Sequence, residues 1–200
     1  MANRNEESDI TDYTALSESL TRLGVGGDVV DWKAAEIEYG VRFPLDYIDF
    51  VANFGEGSVE KILWITIPAL NPMVRRVDRL PEELLEIPEA NEWADPSAAE
   101  KYRLEDLLVW GETNEADVLA WITHGSTPEE WPVAVFSRSE STWSVHHCTM
   151  TKFLVRLLHG GFDRCPISTK ALSGLAHPRF LHAREEARLK DLAINPWSRD

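Results

Sequence analysis

His146, His147 and Cys148 are consecutive in a chain of 200 residues that holds only six histidines and two cysteines. They are the first place to look for a metal or a nucleophile. A strand sends successive side chains to opposite faces, so His146 and Cys148 share one face and His147 takes the other. That leaves two ligands for a metal and no C-x-x-C or H-E-x-x-H spacing to add more. The same alternation separates Cys148 from His147, and the thiol reads as structural. There is no G-x-S-x-G elbow, and Gly24–Gly27 and Gly55–Gly57 lack the frames that cradle phosphates. Thirty-four carboxylates make neighbours such as Glu82-Glu83, Glu129-Glu130 and Glu185-Glu186 unavoidable. A hydrolytic pair needs one carboxyl desolvated, and nothing marks these as buried. The expectation is therefore a protein with no catalytic residue, no metal and no cofactor.

Binding chemistry has more support. Twenty Lys and Arg against thirty-four Asp and Glu give a net charge of −14. Residues 1–159 hold 13 basic and 29 acidic side chains, while residues 160–200 hold 7 and 5. An acidic body disfavours nucleic acid, whose affinity rests on neutralised phosphates, and an anionic membrane surface for the same reason. It favours solubility and, more sharply, a positively charged partner. No window approaches the roughly 18 apolar residues of a membrane span. The N-terminus has no apolar stretch after Arg4, and two cysteines cannot build a disulfide framework, so a cytoplasmic protein is expected. Trp64, Trp110, Trp121, Trp131 and Trp143 fall on or at the ends of strand-like runs. Core packing is their default role, but Trp110 and Trp131 also flank acidic loops, as interface anchors do.

These residues need elements to hold them. Leu16, Leu20 and Leu23 predict a helix over Ile10–Leu23 after a frayed, polar start. Asp28 can cap a second helix, Val29–Tyr39, closed by Gly40, and Pro44 can open a third at its first helical position. In that third helix Tyr47, Phe50, Val51 and Phe54 form an apolar stripe. Val59–Ile67 reads as one strand. Two short helical pieces are expected around Met73–Leu85 and Ala94–Tyr102. Leu107–Trp110, Val118–Thr123, Trp131–Arg138 and Thr142–Cys148 read as an antiparallel meander with loops Gly111–Asp117, His124–Glu130 and Ser139–Ser141. Thr149 or Thr151 caps a closing helix with Phe153, Leu154, Leu157 and Leu158 inward, ended by Gly160-Gly161. Beyond it, Arg179–Ile194 is an amphipathic piece.

Helices, then strands, then a helix predict an α+β fold: a single domain with a mostly antiparallel twisted sheet flanked by helices. The expected organisation is a frayed N-terminus over 1–10, the domain over 11–162 and a C-terminal extension over 163–200 whose removal leaves the core intact.

Trp32-x-x-Ala35-Glu36-x-x-Tyr39-Gly40-Val41-x-Phe43-Pro44-x-Asp46-Tyr47-x-x-Phe50 resembles the opening of SUKH superfamily (Smi/Knr-type) proteins. There an A-E-x-x-L-G helix precedes L-P-x-D-Y-x-x-F-L and a glycine-containing turn, here Asn53-Phe-Gly-Glu-Gly57. The second half agrees in order: Trp110-Gly111, an acidic loop, Trp121, Pro128-x-x-Trp131-Pro132-Val133-x-Val135-Phe136, Trp143, then Phe153-Leu154-x-x-Leu157-Leu158-x-Gly160. Where the family often has an N-G-D-like turn, this chain has Asn114-Glu115-Ala116-Asp117. The resemblance covers residues 11–162. It implies an α+β domain without catalytic residues. Bacterial members are typically immunity proteins that bind and neutralise a cognate polymorphic toxin, often a nuclease. Eukaryotic relatives act as regulatory or scaffold proteins in signalling and cell-wall regulation.

The expected partner is thus a basic protein toxin, met by strand-end loops that a sheet holds in place. Glu112, Glu115 and Asp117 beside Trp110 are the first expected contact set. Glu129 and Glu130 beside Trp131 are the second, at the opposite end of the strand Val118–Thr123.

Overall fold

Leu119, Trp121, Val133 and Val135 pack in one hydrophobic cluster while Ala120, Ile122 and Ala134 pack in another, so the central strands are buried on both faces. The structure is a computed structural model that describes residues 4–68, 76–81, 85, 88–125 and 127–198, with no side chains described for 4–11 and 89. Among the described residues the elements are α1 (Arg4–Ser19), β1 (Thr21–Leu23), α2 (Trp32–Tyr39), α3 (Leu45–Asn53), β2 (Gly57–Val59), β3 (Leu63–Ile65), β4 (Asp78–Arg79), α4 (Pro96–Lys101), β5 (Leu107–Thr113), β6 (Val118–Ile122), β7 (Val133–Ser137), β8 (Thr142–His146), α5 (Met150–Leu158), β9 (Arg179–His182) and α6 (Ala183–Asp191). Their nine strands form one sheet, ordered β1-β9-β2-β3-β5-β6-β7-β8, with β4 added on β5. Every pairing is antiparallel except β1 with β9. This is the α+β domain with a mostly antiparallel sheet that the sequence predicts.

One face carries α1, α3 and α5. The α3 stripe of Tyr47, Phe50, Val51 and Phe54 and the α5 stripe of Phe153, Leu154, Leu157 and Leu158 are buried against the sheet. The SUKH-like motif has a physical basis here. Pro44 leads α3, and the buried Asp46 carboxylate accepts hydrogen bonds from Thr151 N (2.9 Å) and Thr151 Oγ1 (3.0 Å) at the start of α5. Tyr47 donates its hydroxyl to Thr66 O at 2.6 Å and meets Trp121 edge-on, with ring centroids 4.8 Å apart. The motif thus ties α3 to α5 and to the sheet.

The second face is covered in part by the described residues between 76 and 104. Leu80, Ala98, Tyr102 and Leu104 pack with Leu107, Ala120, Ile122, Ala134 and Trp143.

Several expected boundaries move. Helix α1 begins at Arg4, inside the stretch expected to fray, because a helix nucleated on the buried Leu16 propagates cheaply. It ends at Ser19, and Leu23 lies in β1. Asp31, not Asp28, caps α2, accepting from Ala34 N at 3.0 Å. Pro44 is the cap of α3 rather than its first residue. The single strand expected over Val59–Ile67 is a hairpin, β2 and β3, turned by Glu60 and Lys61 at φ 51° and 56°. Such a turn favours Asn-Gly, and its absence hid the hairpin. The helical piece expected over Met73–Leu85 lies partly outside the described residues, and its described portion contains β4. The piece expected near Ala94–Tyr102 is α4.

The largest correction concerns the tail. Arg179–Ile194 is not one amphipathic helix laid on a closed core. Arg179–His182 forms β9, inserted between β1 and β2, and only Ala183–Asp191 is helical. Ile167, Leu172, Phe180 and Leu181 are buried, so the core does not close at Gly160. Gly57 permits the insertion: a Cβ there would stand 2.3 Å from Leu181 O.

Candidate partner-binding surface

Strand β5 is longer than the sequence suggested. It runs through Thr113, so Gly111 and Glu112 belong to the sheet and the expected loop shrinks to the turn Asn114–Asp117. A β-bulge between Val109 and Gly111 shifts the register there. Past it Glu112 stands opposite Trp64 on β3 and Val118 on β6. These three belong to a cross-strand row on the second sheet face, beyond the cover provided by Leu80, Ala98, Tyr102 and Leu104.

A depression of about 700 Å³ opens at this point. Trp64 and Val118, both half-buried, belong to its floor, and Glu56, Glu112, Asn114 and Ala183 to its walls. Glu56 comes from the turn before β2, and Ala183 from the first residue of α6. Chain segments more than 120 residues apart in sequence therefore share one concavity.

The expected contact residues separate into exposed and structural groups. Glu112 is exposed in the depression, and Glu115 is exposed on the adjoining turn. Trp110 is not an interface anchor. It is fully buried on the helix-covered face, its ring centroid 5.9 Å from Trp121 and 6.5 Å from Phe153.

Asp117 is not a rim charge either. It is buried, accepting from Thr113 Oγ1 (2.7 Å), Arg138 N (2.8 Å), Ser168 N (2.9 Å) and the Ser168 hydroxyl. A carboxylate with its lone pairs so filled joins the β5–β6 turn to β7 and to the tail. Trp131 is likewise buried, in the same cluster as Trp110. Glu129 and Glu130 lie on a 3-10 turn, Pro128–Glu130, packed against α3 at the other end of β6. Glu129 is half-buried and Glu130 exposed, and neither lines the depression. The structure thus brings Glu112 to Trp64 and Glu56 and leaves the second acidic loop elsewhere.

Beside the depression lies a polar cluster that the sequence did not signal. Asp28 Oδ2 accepts from Glu56 N at 2.8 Å and lies 3.0 Å from His182 Nε2, while Oδ1 pairs with Arg184 at 3.0 Å. His182 Nδ1 accepts the Arg184 N–H at 3.0 Å, which places the ring proton on Nε2, toward Asp28. Nε2 holds the Gly24–Val30 loop to β9 through Asp28 and Nδ1 caps the start of α6, so this Asp–His pair fixes the wall around Glu56.

The His146–Cys148 run has a packing role. His146 sits between Phe153 and Phe162, with centroids 5.2 and 5.1 Å away, and its Nε2 lies 3.0 Å from Ser144 Oγ. Burial, reinforced by Arg156 and His147, pulls its pKa down to about 4. Burial pushes the Cys148 thiol up to about 11, despite Arg156 and Lys152. Among the described residues, no three His, Cys, Asp or Glu are grouped to hold a metal ion. Nor is any helix long and apolar enough to cross a membrane.

A mostly antiparallel sheet flanked by helices makes this an α+β domain. A SUKH-superfamily model described as SMI1-KNR4 cell-wall matches residues 30–151, from just before α2 into the first turn of α5, and the chain belongs to this family. No curated protein and no solved structure matches it. The family is one of interaction domains and is generally non-catalytic.

Proposed function

We propose that this chain is a non-catalytic immunity protein that binds and neutralises a cognate bacterial toxin, a basic protein of the kind that attacks nucleic acid. The observation that carries this reading is the depression at Trp64, Glu56 and Glu112 on a chain of net charge −14. A protein that acts on nucleic acid presents a basic face, and an acidic partner covers it with electrostatically steered association. Occlusion needs no chemistry from the inhibitor. The acidic residues that the fold leaves exposed, Glu112 and Glu115 on one side and Glu130 on the other, serve as rim charges. The contact set proposed is therefore Trp64, Glu56, Glu112 and Glu115, with Glu129 and Glu130 as a second, separate set.

The cell-wall description of the matched family favours a second reading, a regulatory or scaffold interaction protein unconnected with a toxin. Co-expression separates the two. The product of a neighbouring reading frame, toxic when produced alone, should be tolerated when this chain is produced with it, and the two should purify as a stoichiometric complex. Unrelieved toxicity with no complex would favour the regulatory reading.

A further inference from the structure

Trp64 lies in a gap between two covers that the chain supplies to its own second sheet face. On one side Leu80, Ala98, Tyr102 and Leu104 pack with the buried Ala120, Ile122 and Ala134. On the other, α6 packs against β9 and β2, and Ser58 and Leu181, cross-strand neighbours of each other, have no exposure. Between these covers the row continues through Trp64, Glu112 and Val118, and there the surface opens into the depression. An indole half-exposed beside two carboxylate-bearing residues, on a strongly acidic protein, has a specific chemical complement.

We infer that the depression receives an arginine side chain of the protein partner, its guanidinium stacked on Trp64 and hydrogen-bonded to Glu112 and Glu56. This rests on the binding-protein reading above and adds the group recognised. The indole face is the strongest cation–π surface among side chains. Guanidinium is planar, matches a carboxylate with two parallel N–H donors and is more weakly hydrated than ammonium, so it loses less on entering a concavity. A carboxylate has about four acceptor sites, so intramolecular bonds to Glu56 or Glu112 leave capacity for a further donor. The N-terminus of α6 does not oppose a cation here. The Ala183 N–H already binds Glu56 O at 2.8 Å, and the Arg184 N–H binds His182 Nδ1. At about 700 Å³ the space admits the side chain together with its flanking backbone.

The test uses the full chain, isotope-labelled, titrated with the pentapeptide Gly-Gly-Arg-Gly-Gly and with versions carrying lysine or citrulline at the centre. The arginine peptide should shift the Trp64 indole N–H and the Glu112 and Asn114 amides saturably. Citrulline, of similar shape but uncharged, should bind at least tenfold more weakly, and lysine about threefold to fivefold more weakly. Trp64→Leu and Glu112→Gln should each weaken arginine binding about threefold to fivefold, with near-UV circular dichroism unchanged. Because Glu112→Gln alters no packing, it keeps the test decisive should Trp64→Leu fold poorly. No saturable shift, equal binding of citrulline, or an unchanged Glu112→Gln titration would overturn the assignment. If the neighbouring-frame product binds both variants as tightly as wild type, the arginine assignment fails while the binding-protein reading stands. If that product binds no form of the chain, the binding-protein reading fails and the peptide titration alone decides the assignment.

Discussion

The Arg179 guanidinium closes on the Glu60 carboxylate through two contacts, Nε to Oε1 at 3.0 Å and Nη2 to Oε2 at 2.9 Å. Glu60 Oε1 also accepts the Arg179 N–H at 2.7 Å, and Glu60 N donates to Arg179 O at 2.9 Å. The pair therefore welds the first residue of β9 to the turn of the β2–β3 hairpin. Glu60 and Lys61 both have positive φ, a conformation that costs a non-glycine residue about 1–2 kcal/mol. The ion pair explains how such a turn is held. Arg179 extends the same grip to the C-terminal residues, donating to Pro196 O and Trp197 O, with its charge 5.5 Å from the Trp197 ring centroid.

Separating this pair should be costly because both side chains are largely buried. Glu60→Gln and Arg179→Met should each destabilise the protein by about 2 kcal/mol, with a coupling above 1 kcal/mol in a double-mutant cycle followed by urea unfolding. Lys61→Gly should instead stabilise it by about 0.5–1 kcal/mol, since glycine adopts positive φ without strain. Additive single-variant effects would show that the two residues do not act together.

The tail should be essential to folding. We propose that the folding unit extends through β9, because a chain ending at residue 165 loses the strand between β1 and β2 and the buried Ile167, Leu172, Phe180 and Leu181. Losing several large core side chains exceeds the 5–15 kcal/mol stability of an ordinary domain. The shortened chain should show no cooperative thermal transition by circular dichroism. A sharp transition within a few degrees of wild type would place β9 outside the folding unit.

The difference between the expected and observed tail shows what was legible in the sequence. Helices α2, α3 and α5 and strands β5 to β8 were readable because their apolar periodicity matches their own local geometry. The P-x-D-Y motif was readable for the same reason, and its partner Thr151 was a candidate cap. Arg179–His182 has no such local signature: its first residue is charged and it runs directly into a helix. Its strand character comes from β1 and β2 on either side, partners more than 110 residues away. That Glu112 is an exposed acidic residue was legible in the sequence, whereas Trp64, Glu56 and Ala183 meet only through the tertiary fold. Trp110 and Asp117 were misplaced because flanking an acidic loop does not say which sheet face a side chain occupies. The bulge at Val109/Gly111, also invisible in the sequence, interrupts the alternation just there.

Two buried groups set opposing pH dependences. His146 stays neutral in the fold until about pH 4, while the unfolded chain takes up the proton near 6.5. Between those values the unfolded state binds more protons, so stability falls as pH falls, by about 3 kcal/mol in all. Burial raises the Asp46 carboxyl above its ordinary 3.8, against the lowering effect of the Thr151 and Thr149 bonds. Its effect has the reverse sign, with stability falling as pH rises from 3.8 through the folded value. His146→Phe should flatten the loss between pH 6.5 and 4, and the His146 ring protons should titrate near 4 by NMR. A ring midpoint near 6.5 would contradict its burial.

Asp117 and its two acidic neighbours should separate cleanly by substitution. Asp117→Ala strands the Ser168, Arg138 and Thr113 donors and should destabilise the protein by about 2–4 kcal/mol. Glu112→Lys and Glu115→Lys, at exposed positions, should each stay within about 0.5 kcal/mol of wild type in urea unfolding. Equal costs at all three positions would show that the β5–β6 turn has no buried anchor.

The account's central claim is recognition of a basic protein through the acidic surface at Trp64, and association kinetics test it most directly. With the neighbouring-frame product as partner, Glu112→Lys combined with Glu115→Lys should lower the association rate about tenfold at low salt. The salt dependence should flatten, and thermal unfolding of the variant should match wild type. Association of the double reversal at the wild-type rate in low salt, with the same salt dependence, would contradict the claim.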